Sequence, residues 1–202
     1  MHVGELRAVE EAVRIAGIEV ELVEAREFRA LSSTEAPQGI LLVCEQDEAD
    51  LEQLAAGEGR LLVLDALQDP GNVGTLVRSS VAFGFSGVIA LDGTADPWGP
   101  KVVRASAGAV TRARMVRAGA AETLEALRVT SRTLLVASPG GPALTNGVGP
   151  KVALVVGNEG VGIRDEIRAA AHSIVSIPMS GPIDSLNAGI AGSILMHDLI
   201  RK

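Results

Sequence analysis

An apolar run, Val152 to Val156, breaks at Gly157 into Gly157-Asn158-Glu159-Gly160-Val161-Gly162 and then into a helical pattern. A second run, Ile174 to Ile177, breaks at Pro178, and a polar loop from Ser180 to Asp184 leads into a last helix from Ser185. Two buried strands joined by a helix run in the same direction, so their loops open on the same side. Ligands of open α/β sheets bind at the carboxyl ends of strands. This pair of strand ends is where the chemistry is expected.

The rest of the chain has to supply the sheet. Arg60 to Ala66, Gly87 to Leu91, Arg114 to Arg117 and Thr133 to Ala137 read as strands. Helical patterns over Asn72 to Ala82, Pro100 to Gly108, Ala121 to Leu127 and Arg164 to Ala171 separate them, with Asn72 and Ser185 as candidate N-caps. Repeated βα alternation predicts an α/β fold with a mostly parallel sheet covered by helices on both faces. Only three Phe, one Trp and no Tyr are present, so the core is built from Val, Leu, Ile and Ala.

The first 58 residues differ in character. They read as a helix (Glu5 to Ala16), a strand (Ile18 to Val23), a short helix (Arg26 to Leu31), a strand (Ile40 to Cys44) and a charged helix (Glu48 to Ala56). Residues 1–60 hold 14 acidic and 5 basic side chains, whereas residues 61–202 hold 11 acidic and 13 basic. Composition and charge both change at Gly57-Glu58-Gly59, which places a domain boundary between 58 and 59. The net charge of −7 argues against a general nucleic-acid binder. Between Pro97 and Ala121, however, five basic residues occur with no acidic one, leaving room for a focused phosphate contact.

Several classes are excluded or disfavoured. Cys44 is the only cysteine, so no intrachain disulfide forms. His2, His172 and His197 show no metal spacing, and no metal is expected. No apolar stretch reaches the roughly 18 residues of a membrane span, and the start of the chain is acidic rather than signal-like. A cytoplasmic protein is expected. There is no GxGxxG after the first strand, no Walker loop and no HExxH.

Three motifs remain. Asp69-Pro70-Gly71-Asn72-Val73-Gly74 is followed by Arg78, a cation in the N-terminal half of a helix whose dipole favours anions there. The glycine-rich turn at 157–162 exposes backbone donors and acceptors beside Glu159. Ser185-Leu186-Asn187 opens the last helix with an Asn of poor helical propensity. Taken singly, each also fits a structural role: a surface arginine, an ordinary β–α turn and a helix cap.

In order and spacing, the three together resemble the motifs of the SpoU (TrmH-type) RNA 2′-O-ribose methyltransferases of the SPOUT class. Asn72-x-Gly74-x-x-x-Arg78 is similar to the first motif and Gly157 to Gly162 to the second. Ile177-Pro178-Met179-Ser180-Gly181 with Ser185-Leu186-Asn187 is similar to the third. The likeness covers about residues 60–202. It implies a parallel sheet with a C-terminal trefoil knot, a homodimer, and S-adenosylmethionine as methyl donor to a ribose 2′-hydroxyl of rRNA or tRNA. It implies cofactor contacts at Gly157, Ile177 and Leu186, with Met179 and Ser138 beside them. Arg78, Glu159, Asn72, Ser185 and Asn187 would carry catalysis, and Lys101 and Arg104, in a recurrent family segment, would contact RNA. The N-terminal part resembles a shortened ribosomal-protein-like substrate-binding domain. The rival readings are a knotted RNA-binding or assembly protein without turnover and an enzyme acting on a different nucleotide or a small molecule.

Overall fold

The computed structural model describes residues 3–34, 36–144, 148–158, 160–182 and 185–201, with backbone alone for 3–5. They form two compact units, Met1–Glu45 and Gln46–Lys202. The larger unit therefore begins before the boundary expected at 58/59. The cause is a helix, Leu51–Ala56, which buries Leu51, Leu54 and Ala55 in the same apolar layer as the sheet.

Numbering helices and strands in chain order, the smaller unit contains α1 (Val3–Ile15) and α2 (Ala25–Leu31), and no strand among its described residues. The strands expected at Ile18 to Val23 and Ile40 to Cys44 do not form. Leu22, Leu42 and Val43 stay 77%, 67% and 91% exposed. An extended segment becomes a strand only when a neighbour supplies its ladder, and apolar composition does not provide one.

The larger unit runs α3 (Leu51–Ala56), β1 (Leu61–Asp65), α4 (Pro70–Ala82), β2 (Gly87–Leu91), α5 (Pro100–Ala105), a short 3-10 turn (Ala109–Thr111) and β3 (Met115–Ala118). It continues with α6 (Ala120–Val129), β4 (Thr133–Ala137), β5 (Val152–Gly157), α7 (Asp165–Ala170), β6 (Ser173–Val175) and α8 (Ala188–Ile200). The six strands form one sheet in the order β3-β2-β1-β5-β4-β6, and every pairing is parallel.

The continuous apolar runs follow from burial on both faces. In β1, Leu62 and Leu64 pack in the layer that holds α4, α5 and α8, and Leu61 and Val63 pack in the layer that holds α3, α6 and α7. In β5, Val152, Leu154 and Val156 point to the first layer and Ala153 and Val155 to the second. Side chains alternate across a strand, so a strand covered on both faces needs apolar residues at every position.

Two helix starts differ from expectation. Asp69 caps α4, its carboxylate accepting the Gly71 N–H at 3.0 Å, and Pro70 takes the first helical position. An aspartate followed by proline is the stronger start, so Asn72 falls inside the first turn. Asn187, not Ser185, caps α8; its side-chain oxygen accepts the Ile190 N–H at 3.2 Å.

Arg132 is 1% exposed, between α6 and β4. Its guanidinium donates to the carbonyls of Ala55 (2.9 Å), Gly59 (2.5 Å) and Val152 (3.3 Å), and also to that of Gly57. It thus caps the C-terminal end of α3, where backbone carbonyls lack helical partners and the dipole favours a cation. Burial pulls its pKa below the ordinary arginine value, and Glu58 pulls it back up. Arginine remains charged regardless.

Candidate active site

The carboxyl ends of β4, β5 and β6 open on one side of the sheet, and the loops that follow them enclose a cavity of about 420 Å³. That lies in the roughly 300–1,000 Å³ range of small-molecule sites. The first wall is the loop after β4, Ser138 to Gly140; the Ser138 N–H donates to Val175 O at 3.0 Å, tying this loop to β6.

The second wall is the glycine-rich turn. Asn158 and Gly162 pair back to back through both backbone hydrogen bonds (3.2 and 2.9 Å). The Asn158 carboxamide oxygen accepts the Gly160 and Val161 N–H groups at 2.7 and 3.1 Å, and its nitrogen donates to Ala66 O at 3.0 Å. Gly162 has φ +79°, and a Cβ on Gly157 would lie 2.5 Å from Ile163 Cγ1 and 2.7 Å from Gly162 O. One position therefore needs glycine for its backbone angle and the other for lack of space. The third wall comes from the segment after β6: Ile177, Met179, Ser185, Leu186 and Asn187.

All five positions expected to contact the cofactor (Gly157, Ile177, Leu186, Met179 and Ser138) line this one cavity, as do Ser185 and Asn187. Asn72 does not line it. It is 6% exposed, and its side-chain oxygen accepts a 2.9 Å hydrogen bond from the Asn187 carboxamide nitrogen. Asn187 thus joins the cavity wall to α4. A second polar contact, Ser79 to Ser193 at 2.7 Å, joins α4 to α8 further along.

Arg78 also lies outside the lining. It is exposed on α4, and among the described residues its guanidinium has no hydrogen bond or ion pair. Lys101 and Arg104 are exposed on α5, away from the lining. α5 meets α4 at Gly74, where a Cβ would come within 2.4 Å of Ala105 Cβ and 2.8 Å of Val102 O. The glycine of the first motif therefore lets two helices bearing exposed cations touch through their backbones. Glu159 lies outside the described residues.

Two residues that sequence reasoning passed over hold the second wall in place. Asp65, 1% exposed, ends β1 directly opposite Gly157 in the ladder. Its carboxylate accepts the Arg164 backbone N–H at 2.9 Å and Arg164 Nε at 2.6 Å, while Arg164 Nη2 donates to Asp92 O at 2.8 Å. A buried carboxylate needs such pairing. The one available signal was an aspartate closing an otherwise apolar run, since Asp is rarely buried without a partner. Among the described residues no group of His, Cys, Asp and Glu could hold a metal, and no helix is long and apolar enough to cross a membrane.

The structure is a parallel α/β sheet with a cavity built from three loops at its carboxyl edge, the place where open α/β sheets bind their ligands. Comparison with known proteins makes this specific. The model of the SpoU rRNA Methylase family matches residues 59–197, and the chain belongs to that family. It is 33% identical, over 91% of its length and 73% of the relative's, to the Bacillus subtilis 23S rRNA (guanosine(2553)-2′-O)-methyltransferase RlmP. It is 33% identical to the Pasteurella multocida 23S rRNA (guanosine-2′-O-)-methyltransferase RlmB, covering 92% of this chain and 80% of that one. Among solved structures, the AdoMet-bound rRNA methyltransferase from Sinorhizobium meliloti superposes with a TM-score of 0.85 at 27% identity, covering 97% of this chain and 77% of that one.

Proposed function

We propose that this protein transfers a methyl group from S-adenosylmethionine to a ribose 2′-hydroxyl of RNA. The observation that carries the reading is the convergence of Gly157, Ile177, Leu186, Met179 and Ser138 on one cavity. Its apolar side chains suit a flat heterocycle, and its exposed backbone groups suit the ribose and amino-acid polar atoms. The relatives named for 23S rRNA favour ribosomal RNA as substrate.

When bound, the donor supplies a methyl group on a positively charged sulfur. The carbon–sulfur bond breaks as the ribose oxygen–carbon bond forms, and the hydroxyl proton is released. The protein's work is to orient and desolvate. Asn187 and Asn72 fix the cavity wall against α4, which presents Arg78 to an incoming phosphate or developing alkoxide. A guanidinium stays protonated in proteins and is a poor base, so the proton is assigned to Glu159 or water. Ser185 orients the ribose. Lys101 and Arg104 take backbone phosphates.

The finer parts of the reading are a trefoil knot, a homodimer and a cytoplasmic location. Support for the knot is the pairing of the loop after β4 with the chain leaving β6: Ser176 N donates to Pro142 O at 2.9 Å, and Ala143 bridges Ser176. Support for the dimer is α8, whose Ile190 remains 51% exposed. The smaller unit is assigned to substrate recognition.

The test uses labelled S-adenosylmethionine with separate pools of unmodified ribosomal and transfer RNA. Label recovered as alkali-resistant 2′-O-methyl dinucleotides establishes the reaction and the RNA class. Arg78→Ala is expected to abolish transfer while cofactor affinity stays near wild type. Transfer at the wild-type rate by that variant removes Arg78 from the mechanism.

A further inference from the structure

Arg168 is the one ionisable side chain among the described residues that line the cavity. It projects from α7 toward the glycine-rich turn, and a Cβ built on Gly162 would lie 3.9 Å from its Nη2. Its neighbour Arg164 is fully engaged, with Asp65, the Asp92 carbonyl and, at 3.8 Å, Glu166. Arg168 has no such partner among the described residues, although Asp165 stands three residues earlier on the same helix, where an ion pair is ordinarily within reach. The fold directs this guanidinium to the cavity instead.

We propose that Arg168 binds the carboxylate of the donor's amino-acid end. This rests on the cofactor assignment above. S-adenosylmethionine carries a cationic sulfur, an ammonium and a single anionic group, so a cation in its site is favourable only toward the carboxylate. The planar fork of a guanidinium matches a carboxylate with two parallel hydrogen bonds. Arg168 is solvent-exposed at the rim, so the pair keeps water on one side and its contribution is that of a screened contact. Asn158 and Asp65 fix the turn beneath it, so the fork meets the ligand at a set height.

The experiment is calorimetric titration of the full chain with S-adenosylhomocysteine and with its decarboxylated amine, neither of which can donate a methyl group. Arg168→Gln is expected to weaken S-adenosylhomocysteine binding about two- to fivefold and leave the amine unchanged, with Arg168→Lys in between. Retained binding of the amine also shows that the variant is folded. Equal loss for both ligands overturns the proposal in favour of a structural role in the turn. No loss for either overturns it as well. Failure of the wild type to bind either ligand removes the cofactor assignment, and this proposal with it.

Discussion

Replacing Gly157 by alanine isolates what the second wall contributes. The added methyl would lie 2.5 Å from Ile163 Cγ1, 2.7 Å from Gly162 O and 3.0 Å from Gly162 C. The isoleucine can rotate, but the carbonyl belongs to the turn itself. To restore ordinary contact near 3.4 Å, the Gly162 backbone must retreat by roughly 0.7 Å. That stretch is held by both Asn158 pairings and by the Arg164 staple to Asp65, so the shift is resisted from both ends. Overpacking of this kind costs about 1–3 kcal/mol. The site feels it more directly, because Gly157, Gly162 and Ile163 line the cavity. The expected result is a Kd for S-adenosylhomocysteine raised about tenfold or more, with a Tm lower by a few degrees. Gly160→Ala is the control for stability. It lies in the same turn, and its added methyl meets only Asn158 Oδ1 at 3.4 Å, so the Tm is expected to stay near wild type; Gly181→Ala, outside the lining and with nothing within 4 Å of the added methyl, is the control for Kd. Similar effects from the controls, or none from Gly157→Ala, would refute the steric argument.

The remaining expectations concern buried polar pairs. Asp65→Asn keeps the shape but removes the charge opposite Arg164, and is expected to cost about 2–3 kcal/mol in urea unfolding and to raise the cofactor KM more than it lowers kcat. An unchanged KM would uncouple the staple from the turn. Arg132→Met strands carbonyls of Ala55, Gly57 and Gly59, some of which water can reach, and is expected to cost about 3–4 kcal/mol without altering cofactor affinity in the folded fraction. A loss below about 1 kcal/mol would show that those carbonyls were already hydrated.

The sheet was readable because it is buried on both faces. Apart from β3, which carries the exposed Arg117, each strand from β1 to β5 is a largely apolar run closed by a turn, and all five were placed to within a residue or two. The smaller unit was misread for the same reason. Leu41-Leu42-Val43 has strand composition, yet strandedness depends on a partner elsewhere in the chain. The second and third motifs fall on the walls of one cavity, because glycines and Ser-Leu-Asn mark local backbone geometry, whereas the first lies on α4 outside the lining. Helix caps were less legible. Asn72 and Ser185 are good cap residues, but Asp69-Pro70 and Asn187 took those roles, which freed Asn72 to face α8. Arg168 was invisible as a site residue because an arginine in an amphipathic helix looks like any solvated charge.

What the sequence conceals most thoroughly is the set of long-range staples. Asp65 meets Arg164 across 99 residues, and Asn72 meets Asn187 across 115. Neither contact has a local pattern, yet together they decide where the walls of the cavity stand. This division explains how a site lined largely by backbone and apolar surface can still be exacting. A Leu186 or Met179 that offers mainly surface tolerates other apolar residues. A glycine packed against its own turn does not, nor does a buried carboxylate whose cation holds two strand ends. Substitutions that impair the cofactor site most are therefore expected at Gly157, Asp65 and Arg164 rather than at the residues with the largest side chains in the cavity.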